Sequence, residues 1–72
     1  MLPPSDYRAY AAVARVMAAE YRVEAVTEKE PRKSYLLKCA QSREDHADFY
    51  EREADFAEEW EARRADREQE AA

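Results

Sequence analysis

The stretch 35-YLLKCAQSREDHADFYEREADFAEEW-60 decides the fold, because two neighbouring rows of residues run through it at alternating steps of four and three. The first row, here called the aromatic row, comprises Tyr35, Cys39, Ser42, His46, Phe49, Glu53, Phe56 and Trp60. The second comprises Leu36, Ala40, Arg43, Ala47, Tyr50, Ala54 and Ala57. Two adjacent heptad rows are typical of one long helix that packs along its length.

The composition of the whole chain also favours helix. Ala, Glu and Arg fill 36 of the 72 positions, and all three are good helix formers. The chain has no Gly and no Asn, the residues that most readily adopt left-handed backbone conformations. Tight Asn-Gly hairpins, glycine-rich phosphate loops and dinucleotide-binding motifs are therefore excluded.

A first helix is predicted over residues 5–28, with Ser5 as its N-cap and residues 1–4 as an extended lead. Pro31 disfavours helical geometry in the residue before it and suits the first turn of a second helix. Apolar residues recur at helical spacing in this first segment and predict a broad apolar face. They form two stripes, Tyr10, Val13, Met17 and Tyr21, and beside it Ala12, Val16, Ala19, Val23 and Val26.

The second helix is predicted over residues 32–66, and a break near Ser42 is possible because Ser42 and Asp45 resemble a capping box. Beyond Trp60 no large apolar residue remains, so residues 61–72 are predicted to be a frayed or disordered tail. The fold class is therefore all-α, a small antiparallel helical hairpin in a single domain of residues 1–72.

The alternative is an α+β fold, in which a β-hairpin lies between two helices. Residues 22–27 and 34–40 contain β-branched and aromatic residues that could pair as its two strands. The absence of Gly and Asn and the uninterrupted heptad spacing through Cys39 and Ser42 favour helix instead.

Charge is divided unequally along the chain. Residues 1–43 carry eight Lys and Arg against five Asp and Glu, whereas residues 44–72 carry four Arg against twelve Asp and Glu.

Arg8, Arg15 and Arg22 repeat every seven residues, and we call them the arginine row. They are interpreted chiefly as solvated side chains or internal partners of the acidic half, with phosphate binding as the alternative. Carboxylates follow helical steps along one side of the second helix; this acidic ridge is Glu44, Asp48, Glu51, Asp55, Glu58 and Glu59.

The residues of the chain do not suit catalysis or metal binding. His46 is the one histidine, the residue three before it is Arg43, and neither a zinc site nor a Glu-x-x-His di-metal site can be assembled from that pattern. A thin hairpin offers no deep pocket in which a carboxyl could act as an acid or base. The protein is therefore predicted not to be an enzyme and to have no cofactor and no metal.

The location predicted from sequence is cytoplasmic. The single Cys39 cannot form an intrachain disulfide and fits a reducing compartment. No apolar run approaches the roughly 18 residues of a membrane span, and the first residues lack the pattern of a signal peptide.

The leading functional hypothesis is a small acidic protein that binds and regulates or inhibits a larger intracellular protein machine. Its expected partner is a larger protein with a basic surface, bound through the acidic ridge and through the aromatic side chains of Tyr35, Phe56 and Trp60. Phage-encoded modulators of host nucleic-acid-handling complexes have this general character, an analogy of size and charge only.

The alternative is a structural homo-oligomeric helical bundle or coiled-coil subunit, with a homodimer as its simplest form. Direct binding of nucleic acid is disfavoured because the second half has the wrong sign of charge.

Overall fold

The computed structural model describes residues 1–71 and contains two α-helices, α1 over Pro4–Val26 and α2 over Arg32–Ala71. The two helices lie antiparallel and contact each other as a helical hairpin. The all-α prediction is therefore confirmed. The β-hairpin alternative is wrong, since residues 22–26 are helical in α1, residues 34–40 are helical in α2, and residues 1–71 contain no strand.

The first helix begins one residue before the predicted start. Pro4 is its first residue, Pro3 occupies the N-cap position, and no side chain caps the helix, so the prediction of Ser5 as the cap is wrong. Pro4 suits the first helical position because the N–H that proline lacks would have no helical partner there. At the other end α1 stops at Val26, two residues earlier than predicted, and the Glu28 N–H donates to the Ala25 carbonyl at 3.2 Å.

The second helix begins at Arg32, as predicted, and the Pro31 carbonyl accepts a hydrogen bond from the Tyr35 N–H at 3.2 Å. No break occurs at Ser42, because the residues before it keep their helical geometry and leave no free helix start to cap. The predicted end near residue 66 is also wrong, since α2 continues to Ala71. The predicted frayed tail is helical over residues 61–71, with Arg64 and Glu68 paired at 3.3 Å, and Ala72 lies outside the described residues.

Small side chains form the contact between the two helices, which we call the alanine seam. Its buried members are Ala11, Ala14, Ala18 and Ala25 of α1, and Leu36, Ala40, Ala47, Ala54 and Ala57 of α2. All five α2 members lie on the second of the two predicted heptad rows. Because a methyl group projects so little, alanines let two helix backbones approach closely. No polar side chain is buried among residues 1–71.

Most large apolar side chains lie outside this seam. In α1 the predicted apolar face is largely exposed, and Val23 and Val26 keep 72% and 75% of their surface. The aromatic row of α2 is also largely outside, and Phe49 and Phe56 keep 49% and 52% of their surface. Two helices share a single line of contact, and here the alanines occupy it.

The hairpin is long and thin, with Cα extents of 64 × 13 × 13 Å. The 40 residues of α2 account for the length, because an α-helix rises about 1.5 Å per residue. α1 has 23 residues, so α2 extends beyond it. Arg8 near the start of α1 pairs with Glu58, which places the overlap between the loop and about residue 61.

Candidate interaction surfaces

One side of the alanine seam carries a ladder of ion pairs between the arginine row and the acidic ridge. Arg15 lies at its centre and donates to Glu44 at 2.6 Å, to Glu51 at 2.9 Å and to Asp48 at 3.1 Å. The hydrogen bonds to Glu51 and Asp48 are the main cause that raises the pKa of the Arg15 guanidinium above its ordinary value. The arginine therefore stays charged throughout the range in which proteins are folded.

The other two arginines extend the ladder in both directions. Arg8 donates to Glu58 at 2.7 Å and to Asp55 at 3.1 Å, and these bonds raise the pKa of its guanidinium. Arg22 donates to Glu44 at 3.1 Å, so Glu44 bridges Arg15 and Arg22. The spacing of seven residues on α1 therefore matches the carboxylate spacing on the antiparallel α2.

Most of the acidic ridge is paired within the chain. Five of its six carboxylates lie within ion-pair distance of the arginine row, and the interpretation of that row as an internal partner is confirmed. Within residues 1–71, Glu59 has no such pair and lies on the outer side of α2. The ridge remains exposed in part: Asp55 and Asp48 keep 69% and 55% of their side-chain surface.

The other side of the seam carries an apolar face built from both helices. Tyr10 of α1 lies against Tyr50 of α2 with ring centroids 5.5 Å apart, and Phe49 meets Tyr50 edge-on at 5.6 Å. These distances are typical of favourable aromatic pairs. Beside them a shallow groove runs between the helices, and it is lined by Tyr10, Val13, Ala14, Met17, Arg43, His46 and Tyr50.

The predicted aromatic contacts Tyr35, Phe56 and Trp60 belong to this apolar face, since they lie on the aromatic row with Phe49. All three are exposed, at 63%, 52% and 50% of their surface. Tyr35 lies near the loop, where its interaction with the side chain of Cys39 raises the pKa of its phenol. Trp60 lies at the opposite end, so the face extends over most of the hairpin.

Sequence reasoning missed the part that α1 plays in this face. The sequence shows Tyr10, Val13 and Met17 as a stripe, but their position beside Tyr50 depends on which residues form the seam. The signal was present as a third spacing, Ala11, Ala14, Ala18 and Ala25, which flanks the stripe. Alanine occurs in helices both as a helix former and as a packing residue, and composition alone does not distinguish the two roles.

Comparison with protein-family models, with curated proteins and with solved structures gave no match for this chain. Residues 1–71 hold no group of three or more His, Cys, Asp or Glu side chains placed to bind a metal ion. Within the same residues neither helix has an apolar segment of the length needed to cross a bilayer.

Proposed function

We propose that this chain is a non-enzymatic interaction module that docks its apolar face onto other protein helices and so forms a helical bundle. The observation that carries the proposal is that the two helices pack through small side chains and leave the large apolar ones outside. The alanines and one leucine are buried between the helices, whereas Tyr10, Tyr35, Phe49, Phe56 and Trp60 remain about half or more exposed.

The energetics of burial support docking. A buried alanine removes one methyl group from water, whereas complete burial of a large apolar side chain contributes about 1.5–3 kcal/mol. The exposed aromatic side chains of this hairpin have yet to contribute about half of that amount. A chain of 72 residues with such a small core is expected to gain stability from association.

The sides of the hairpin are also suited to different surroundings. The ladder and the outer row of α2 carry charge; that row is Lys38, Asp45, Arg52, Glu59 and Asp66. These surfaces are compatible with water, while the apolar face is not. Exposed apolar patches of this kind mark sites of protein contact.

Regulation or inhibition of a larger protein with a basic surface is the second candidate function. The net charge of −8 in residues 44–72 favours it. The ladder weakens it, because the arginine row already neutralises part of the acidic ridge.

For either function we propose a cytoplasmic location, which the free thiol of Cys39 favours.

Site-specific photo-crosslinking tests the docking surface. A benzophenone amino acid at Phe56, on the apolar face, is expected to form a discrete protein adduct in cells that express the chain. The same group at Arg52, on the charged outer row, is the matched control and is expected to form none. Equal adduct yields from the two positions, or no adduct from Phe56, would contradict the proposal.

A further inference from the structure

The spacing of the aromatic row is the same in both directions along the chain. Its steps are 4, 3, 4, 3, 4, 3, 4, with the midpoint between His46 and Phe49. When two copies of one helix pair antiparallel about a two-fold axis, each residue meets the residue at its mirrored position. About this midpoint Tyr35 lies opposite Trp60 of the other copy, and Cys39 lies opposite Phe56.

Two charged residues lie nearly symmetrically about the same midpoint, displaced from it by half a residue. Arg43 and Glu53 lie five residues on either side of Asp48, and both are half-buried. Among residues 1–71 neither has an oppositely charged side chain within 4.0 Å in its own chain. Arg43 also lines the groove of the apolar face. In the antiparallel pairing Glu53 of one copy lies one residue beyond the position that mirrors Arg43 of the other. The offset is about 1.5 Å along the helix, which leaves the two long side chains within reach of each other, twice by symmetry.

The size of the apolar face suits a dimer. From Tyr35 to Trp60 it covers 25 helical steps, about 38 Å at 1.5 Å per residue, and two adjacent helices are roughly 20 Å wide. The product, about 750 Å², is close to the ~800 Å² that each partner contributes to a standard protein interface.

From these observations we propose that the occupant of the apolar face is a second copy of this chain. The two hairpins pack face to face and antiparallel about a two-fold axis near Ala47 and Asp48, as a four-helix bundle closed by two pairs of Arg43 with Glu53. The ladder and the outer row of α2 stay in water. This inference rests on the proposed function and names its partner.

The test is a charge exchange followed by sedimentation equilibrium over a series of protein concentrations. The unchanged chain is expected to have twice the mass of one chain. R43E alone and E53R alone place like charges opposite each other at two points, and each is expected to weaken the dimer about tenfold or more. The double variant R43E/E53R restores both pairs and is expected to recover the original dissociation constant within about threefold.

The matched controls are R52E and E59R, which make the same charge changes on the outer row and are expected to leave the dissociation constant unchanged. Circular dichroism checks that every variant remains helical. A monomer at all concentrations, or no recovery in the double variant, overturns the second copy as occupant. In that case a Phe56 adduct with a different protein upholds the proposed function, and the absence of any adduct from Phe56 overturns both.

Discussion

Replacement of Ala18 by leucine is expected to lower the free energy of unfolding by about 1–3 kcal/mol, the usual cost of adding methylenes to a filled interior. Ala18 is fully buried in the alanine seam. A leucine there forces the two helices apart and separates the donors and acceptors of the ladder. In a conventional leucine-lined coiled coil, a leucine at a seam position would instead add apolar burial and stabilise the structure.

Ala19 supplies the matched control, since it is the next residue of the same helix and is exposed. Leucine and alanine have similar helix propensities, so Ala19→Leu is expected to change the unfolding free energy little. Urea titration followed by circular dichroism measures both variants. Greater stability of the Ala18→Leu variant would mean that the seam has room, and the close approach of the helices would be wrong.

Reversal of the central ladder charge, Arg15→Glu, is expected to give the largest fall in melting temperature of the three arginine reversals. Arg15 holds three carboxylates, whereas Arg8 holds two and Arg22 holds one. A glutamate in its place removes these bonds and adds a fourth negative charge to Glu44, Asp48 and Glu51. The fall is expected to shrink at about 1 M salt, where the screening length is only ~3 Å.

The control for net charge is Arg52→Glu, which changes the total by the same amount on the outer side of α2. Thermal melts at low and high salt separate the two variants, because only the Arg15 variant should show a large deficit that salt reduces. Equal melting temperatures for the two variants would show that the ladder contributes nothing specific to the hairpin.

Helix content and topology could be predicted from the sequence because they depend on local properties. The absence of Gly and Asn, the abundance of Ala, Glu and Arg, and the turn at Pro31 together indicate two helices joined by a short loop. The arginine row could also be matched to the acidic half, since seven-residue spacing on both sides predicts a ladder between antiparallel helices.

The identity of the buried face could not be predicted in the same way. Hydrophobicity favours Val16, Val23 and Val26 for the core, yet these side chains are exposed. Which face lies inside depends on the distance between the helices and on the position of the ladder, and both are properties of the pair. The end of α2 is a different case, because residues 61–71 are helical without a core and contain one local ion pair, Arg64 with Glu68.

The hairpin is held together by alanines, and not by valines or aromatic residues, between the two helices of one chain. Ala47 is buried together with Ala11 and Ala14. Methyl nuclear Overhauser effects in selectively labelled protein measure these contacts directly, and mixing labelled with unlabelled chains separates contacts within one chain from contacts between copies. We expect strong intrachain effects from the Ala47 methyl to those of Ala11 and Ala14. Intrachain effects from Ala47 to the methyl groups of Val16 and Val23 instead would contradict the alanine seam.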